Sequence, residues 1–189
     1  MKRLLAAAAV ACFPLAWPAQ ALAQSAGFTP DKPAPIGAAV KSIVQCGGNP
    51  TAMEPYDVVV AVKQVLRGKP AWDALVASDP ATVAAASGQE YLVAKVSMQM
   101  TAKLAPGNKS FELGRPMQWV AMSSDGAEYP AATIAPPKPA LTGQLRADEA
   151  PEGWLVFQVA QKDQKPVLFF DPGSGGATLR GSVLFFRLN

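Results

Sequence analysis

The chain has 189 residues, enough for one domain with a short extension. Half of them are apolar and 16% are charged, so the chain can bury a core and falls outside the disordered class. Histidine is absent and there are two cysteines, which excludes Ser-His-Asp or Cys-His catalysis, a His-ligated metal and a disulfide scaffold.

Lys2 and Arg3 precede an apolar run from Leu4 to Ala11, and Ala21-Leu22-Ala23 has the small-x-small form of a cleavage site. This pattern predicts a signal peptide over residues 1–23, cut near Ala23/Gln24, and therefore export to the periplasm or beyond. Pro14 and Pro18 interrupt the apolar segment, which argues against a membrane anchor, so no transmembrane segment is expected after cleavage. Acylation at Cys12, after Ala9-Val10-Ala11, is the alternative, although the usual Leu three residues upstream is missing. Loss of Lys2 and Arg3 leaves 15 basic residues against 14 acidic, a net charge of +1. No concentrated basic face is visible, and no nucleic-acid partner is expected.

Residues 24–36 hold three prolines and few large apolar residues, which reads as a flexible leader. Residues 37–189 then form the domain. An irregular first strand is expected over Ile36 to Gln45, ended by Gly47-Gly48-Asn49-Pro50. Cys46 sits in that turn sequence and reads as an inert, half-buried thiol. Asp57 to Leu66 is dominated by β-branched residues and is a strand. Pro70 suits the first turn of a helix, and Trp72, Leu75 and Val76 share one face, so a short helix is expected near residues 70–77.

Tyr91 to Leu104 alternates with period two. Leu92, Ala94, Val96, Met98 and Met100 face one way; Val93, Lys95, Ser97, Gln99 and Thr101 face the other. One buried and one wet face predicts antiparallel sheets. Met117 to Met122 is the next strand, and Asp125-Gly126 turns it back along Ala127 to Tyr129. Pro130 to Pro139 reads as a crossover loop and Leu141 to Arg146 as a short edge strand. Gly153 to Ala160, Val167 to Phe170 and Val183 to Leu188 complete the set. Seven to nine strands and one helix point to an all-β, antiparallel two-sheet sandwich. The expected core includes Val58, Val60, Val62, Leu92, Val96, Met98, Leu155, Phe157, Val159, Leu168, Leu184 and Phe186.

Four blocks carry a resemblance: Arg67-Gly68-Lys69-Pro70-Ala71-Trp72, Gly88-Gln89-Glu90-Tyr91-Leu92-Val93, Asp125-Gly126-Ala127-Glu128-Tyr129, and Gly153-Trp154-Leu155-Val156-Phe157 with Pro166-Val167-Leu168-Phe169 after it. In this order the chain resembles bacterial secreted and lipoprotein domains of unknown function. Their fold is a telokin-like, immunoglobulin-like sandwich of the immunoprotective extracellular type. The resemblance implies that fold and an envelope location, and no catalytic residues.

The acidic cluster Asp148, Glu149 and Glu152 has no fixed carboxylate separation and no calcium-loop spacing, and reads as a solvated loop. Asp171-Pro172-Gly173-Ser174-Gly175-Gly176 lacks the Gly-Lys-Ser/Thr of a phosphate loop and reads as a strand connection. No metal or cofactor is expected, and no enzyme. The expected function is a non-enzymatic envelope domain that binds another envelope protein or supports an assembly. The alternative is a carbohydrate- or peptidoglycan-binding module using exposed aromatics. Trp154, opposite the face of Leu155, Phe157 and Val159, and Tyr129 are the candidate surface residues. Trp72 and Trp119 are expected in the core.

Overall fold

A computed structural model of the chain describes residues 26–47, 49, 52–104, 107–115, 117–174 and 179–189. The expected signal peptide and Cys12 lie outside the described residues. The architecture is all-β and sandwich-like, with one short helix.

The larger layer has five strands, β1 (Ala39–Cys46), β2 (Glu54–Arg67), β3 (Gln89–Ala102), β7 (Glu152–Ala160) and β9 (Leu179–Gly181), in the order β7-β3-β2-β1-β9. Its named pairings are all antiparallel. The smaller layer has β5 (Trp119–Met122), β8 (Val167–Phe170) and β10 (Leu184–Arg187), in the order β10-β8-β5. A two-stranded pair, β4 (Phe111–Leu113) with β6 (Gly143–Leu145), completes the fold. Among the described residues there are therefore ten strands, where seven to nine were expected. The additions are the three-residue strands β4 and β9, too short to carry a period-two signal of their own.

One cluster joins the layers. Val58, Val60 and Val62 of β2 and Leu92, Val96, Met98 and Met100 of β3 face Leu168 and Phe170 of β8 and Leu184 and Phe186 of β10. Phe111, Leu113 and Leu145 bring the β4–β6 pair into the same cluster. Of the twelve expected core residues, eleven are buried and Leu155 is half-buried against the cluster.

A bulge at Lys63 shifts the β2–β3 register, since Val62 pairs with Val96 and Gln64 with Lys95. The extra residue changes which β2 side chains reach each face. Val65 then packs on the main core and Leu66 on the outer side of the sheet.

The helix α1 (Lys69–Ser78) begins at Gly68, whose φ of 61° turns the chain off β2, and Pro70 lies in its first turn. At its end the Asp79 N–H donates to Leu75 O. Ala71 and Leu75 are the buried positions, with Trp72 and Val76 half-buried beside them. The helix covers the outer face of the large sheet at one end, packing with Leu66, Tyr91, Val93, Trp154 and Val156. Val93, expected on the wet face of β3, is fully buried for this reason. The Arg67 Nε donates to Glu90 Oε1 over 2.6 Å and its Nη2 to Ala160 O over 3.1 Å, which fastens β2, β3 and β7 where the helix starts.

The described part of the expected leader is docked. Ala34 is buried and bridges Phe186 in parallel. The Ala34 N–H donates to Phe185 O, the Arg187 N–H to Ala34 O and the Phe185 N–H to Gly27 O, each over 2.8 Å. Low apolar content hid this docking, because main-chain hydrogen bonds to a sheet edge need no side-chain pattern.

Candidate functional site

The two sequence-predicted surface aromatics fall in different places. Trp154 lies on the outer face of β7, half-buried in the cluster under α1 with Trp72, Val93 and Ile134. Its main chain is also occupied, since its N–H donates to Pro139 O and its carbonyl accepts from Leu141 N. The crossing segment can approach this closely because residue 153 is glycine: a Cβ there would sit 2.5 Å from Leu141 N. Trp154 is therefore largely a packing residue that covers apolar surface beside the helix.

Tyr129 belongs to the main core, as a half-buried neighbour. Its N–H donates to Ala121 O, so the return arm of the Asp-Gly turn runs along β5. The turn has Gly126 at φ 89°, with Ser123 N–H donating to Ala127 O. The Tyr129 hydroxyl donates inward to Asp163 Oδ2 over 2.8 Å. Burial and this carboxylate push the Tyr129 hydroxyl above the ordinary tyrosine range.

Beyond Tyr129 the chain crosses from β5 to β7, and Ala131 forms an antiparallel bridge with Phe157. This crossing spans a groove of about 440 Å³ between two sheet edges. Trp119 and Ala121 of β5 form one side, and Leu155 and Phe157 of β7 the other. Arg115, Met117 and Glu128 stand at the groove as well. The loop carrying Met117 is held by Gln118, which is fully buried. The Gln118 Oε1 accepts from Gly114 N over 3.0 Å, and its Nε2 donates to Glu112 O over 3.1 Å. Both ends of the buried amide are satisfied, so Gln118 acts as a clamp. Sequence reasoning missed this groove: a single glutamine before a tryptophan carries no pattern.

The other surface is the outer face of the large sheet away from α1. Register places Lys41, Val59 and Gln99 in one row and Ile43, Asp57 and Thr101 in the next. Ile43 is 49% exposed on this face. Lys103 pairs with Asp57 and Lys95 with Glu152, each over 3.0 Å.

The acidic cluster is dispersed into local contacts. Glu152 pairs with Lys95, whose hydrogen bond and charge hold its carboxyl below the usual range. Glu149 Oε2 accepts from Arg146 N over 2.8 Å, and Asp148 turns the chain with φ 67°. Among the described residues no group of three His, Cys, Asp or Glu side chains gathers as a metal site. Asp171 caps its own turn, accepting from Gly173 N and the Ser174 hydroxyl. Gly175 and Gly176 lie outside the described residues. Cys46 is buried at the end of β1; burial, with the charge of Glu54, pushes its thiol up to about 11. Among the described residues no helix is long and apolar enough to cross a membrane.

No family model matches the chain, and no curated protein matches it. Two solved structures are similar to it. A candidate lipoprotein from Bacillus subtilis aligns at 17% identity and a TM-score of 0.48, over 70% of this chain. The chain spans 36% of that protein's length. A protein of unknown function from Listeria monocytogenes aligns at 12% identity and a TM-score of 0.34, over 88% of this chain and all of that one. Likeness at this level assigns neither family nor function.

Proposed function

We propose that this chain is an exported, non-catalytic envelope domain that binds another protein through the open part of its large sheet. The observation that carries this reading is the incomplete cover of that sheet's outer face. The helix α1 packs over Leu66, Val93 and Val156 at one end. The rows containing Lys41, Val59, Gln99, Ile43 and Thr101 have no such layer above them among the described residues. A flat face mixing aliphatic and polar side chains offers area to a protein more readily than a pocket to a small substrate. Export rests on the sequence of residues 1–23, and the telokin-like immunoglobulin type rests on the four sequence blocks.

A carbohydrate module built on Trp154 and Tyr129 has less support. The two rings pack in separate clusters, and the Tyr129 hydroxyl is committed to Asp163. A pull-down from envelope extract tests the reading, with the chain from Gln24 onward as bait. A protein retained by this bait and lost with Ile43→Glu supports it. Recovery of saccharide fragments without protein overturns it, and so does a captured protein indifferent to Ile43→Glu. Substrate turnover that Asp148→Ala or Glu152→Ala abolishes would remove the non-catalytic part.

A further inference from the structure

We propose that the partner adds an extended segment as a further strand on the open edge of β1, antiparallel to Ala39–Ile43, with an acidic side chain opposite Lys41. This rests on the protein-binding role above and names the segment that the partner brings.

The strand register shows which main-chain groups are open. The Lys103 N–H donates to Pro55 O over 3.2 Å, so Pro55 turns its carbonyl toward β3. Antiparallel ladders alternate, and Tyr56, Val58 and Val60 therefore turn their main chain toward β1, where they meet Val44, Ser42 and Val40. Ala39, Lys41 and Ile43 then direct their N–H and C=O groups away from β2, and all three residues are exposed. From Val44 to Cys46 that side is taken by β9. The Ile43 carbonyl lies where β9 ends, 3.1 Å from a Cβ placed on Gly181. Beyond it, the N–H and C=O groups of Ala39 and Lys41 meet no neighbouring strand among the described residues. The outermost strands elsewhere are met by crossing segments: β7 by Ala131 and Ala140, β10 by Gly27 and Ala34, and β5 by Tyr129.

A strand edge states the chemistry of its occupant. Its regularly spaced donors and acceptors are completed together by another extended main chain, as in strand addition. Side chains then select which chain. Lys41 has no ion-pair partner among the described residues, and Asp57 in the adjacent row is held by Lys103. A second copy of this chain is disfavoured. Every antiparallel register that pairs Lys41 with Ala39, Lys41 or Ile43 of the copy sets the two ammonium groups opposite or diagonal on one face, and like charges so placed repel. A carboxylate opposite Lys41 is attracted instead, and a β-branched side chain beside Ile43 packs on its exposed surface.

The probe is a capped peptide, acetyl-Ser-Thr-Val-Ser-Glu-Ser-Thr-amide, which places Val beside Ile43 and Glu opposite Lys41. In the isotope-labelled full chain it is expected to move the Lys41 amide resonance to lower field, saturably, in about the millimolar range. Methylating the amide nitrogen of its Glu, which faces β1, should abolish the shift. Methylating the next amide, which faces away, should leave it. Replacing that Glu with Lys should weaken binding about fivefold, and Lys41→Glu should reverse the preference between the two peptides. The absence of a saturable Lys41 shift overturns the proposal, and so does equal binding of the two methylated peptides. Lys41→Pro removes an N–H that points away from β2, so the ladder to β2 stays intact while the edge closes. A protein captured from envelope extract that is lost with Ile43→Glu but kept by Lys41→Pro leaves the protein-binding role standing and overturns strand addition. Peptide addition at β1 with no protein captured overturns the role and supports the edge. Should Lys41→Pro fail to fold, the methylated peptides still decide on the unaltered chain.

Discussion

The Tyr129 hydroxyl donates to Asp163 Oδ2 over 2.8 Å, and this contact ties the turn after β5 to the turn between β7 and β8. The same carboxylate accepts from Ser124 N over 3.2 Å and, through Oδ1, from Lys165 N over 3.0 Å. One aspartate thus collects three donors from two turns that are 34 residues or more apart at the tyrosine and serine. The arrangement also explains why Tyr129 is not a free surface aromatic.

Asp163 makes folding pH-dependent, and the sign follows from its hydrogen bonds. Burial pushes its carboxyl up, but the amides of Lys165 and Ser124 and the Tyr129 hydroxyl outweigh that and hold it below the ordinary carboxylate range. A carboxyl lower in the folded chain than in the unfolded one stabilises folding above the unfolded value, about 3.9. That contribution is lost as pH falls through the folded value. Urea unfolding from pH 7 to pH 2 should therefore show a falling free energy below about pH 4, with part of the slope removed by Asp163→Asn. Tyr129→Phe should cost about 1.5–3 kcal/mol at pH 7, the range for a hydrogen bond to a charged group. An unchanged slope in Asp163→Asn would show that other carboxylates dominate acid unfolding.

Phe157 tests the core from the β7 side. It is 6% exposed, faces the main cluster and pairs with Leu92 across β3. Phe157→Ala should lower unfolding free energy by about 3–5 kcal/mol. A loss under about 1 kcal/mol would place this ring outside the energetic core.

The strands that carry the core were legible because their side chains obey period two over many residues. β3 runs for 14 residues, and the alternation from Leu92 to Met100 marks its buried face directly. The helix was legible from Pro70 and the Trp72/Leu75 spacing. What it covers was not, because Val93 looks the same on a wet face as beneath a helix until the β2 bulge and the α1 position are known. The groove was illegible for a different reason. It is made by residues 114, 115, 117, 119–121, 128–132 and 155–157, which the β5–β8 and β3–β7 pairings help bring together. Trp119 read correctly as core, yet nothing in the sequence indicates that its indole N–H lacks an acceptor.

Cys46 should behave as an inert thiol. With its ionisation pushed up to about 11 by burial and by Glu54, only about one molecule in a thousand carries a thiolate at pH 8. An aromatic disulfide reagent should react with the folded chain far more slowly than with the same chain in denaturant, where the residue returns to about 8.5. Rapid labelling of the folded protein at pH 8 would mean that the end of β1 opens readily. Cys46→Ser should also cost stability, since it places a hydroxyl in a nearly dry site beside the core.

The docked segment before β1 gives the last test. Ala34 is 1% exposed, and three main-chain hydrogen bonds join Gly27 and Ala34 to Phe185 and Arg187 on β10. β10 is an edge of the three-stranded sheet, so this segment occupies donors and acceptors that would otherwise lie open to another chain. A chain shortened to begin at Gly37 should lose stability and gain self-association together, because removal exposes both the Ala34 contact and the β10 edge. Ala34→Asp should reproduce the stability loss without shortening the chain, since a carboxylate buried there has no partner. Thermal unfolding and sedimentation at several concentrations separate the two effects. A shortened chain that remains monomeric and melts within about 2 °C of the intact one would show that the docking adds little; a loss of 1 kcal/mol would shift a domain of this size by about 2–4 °C.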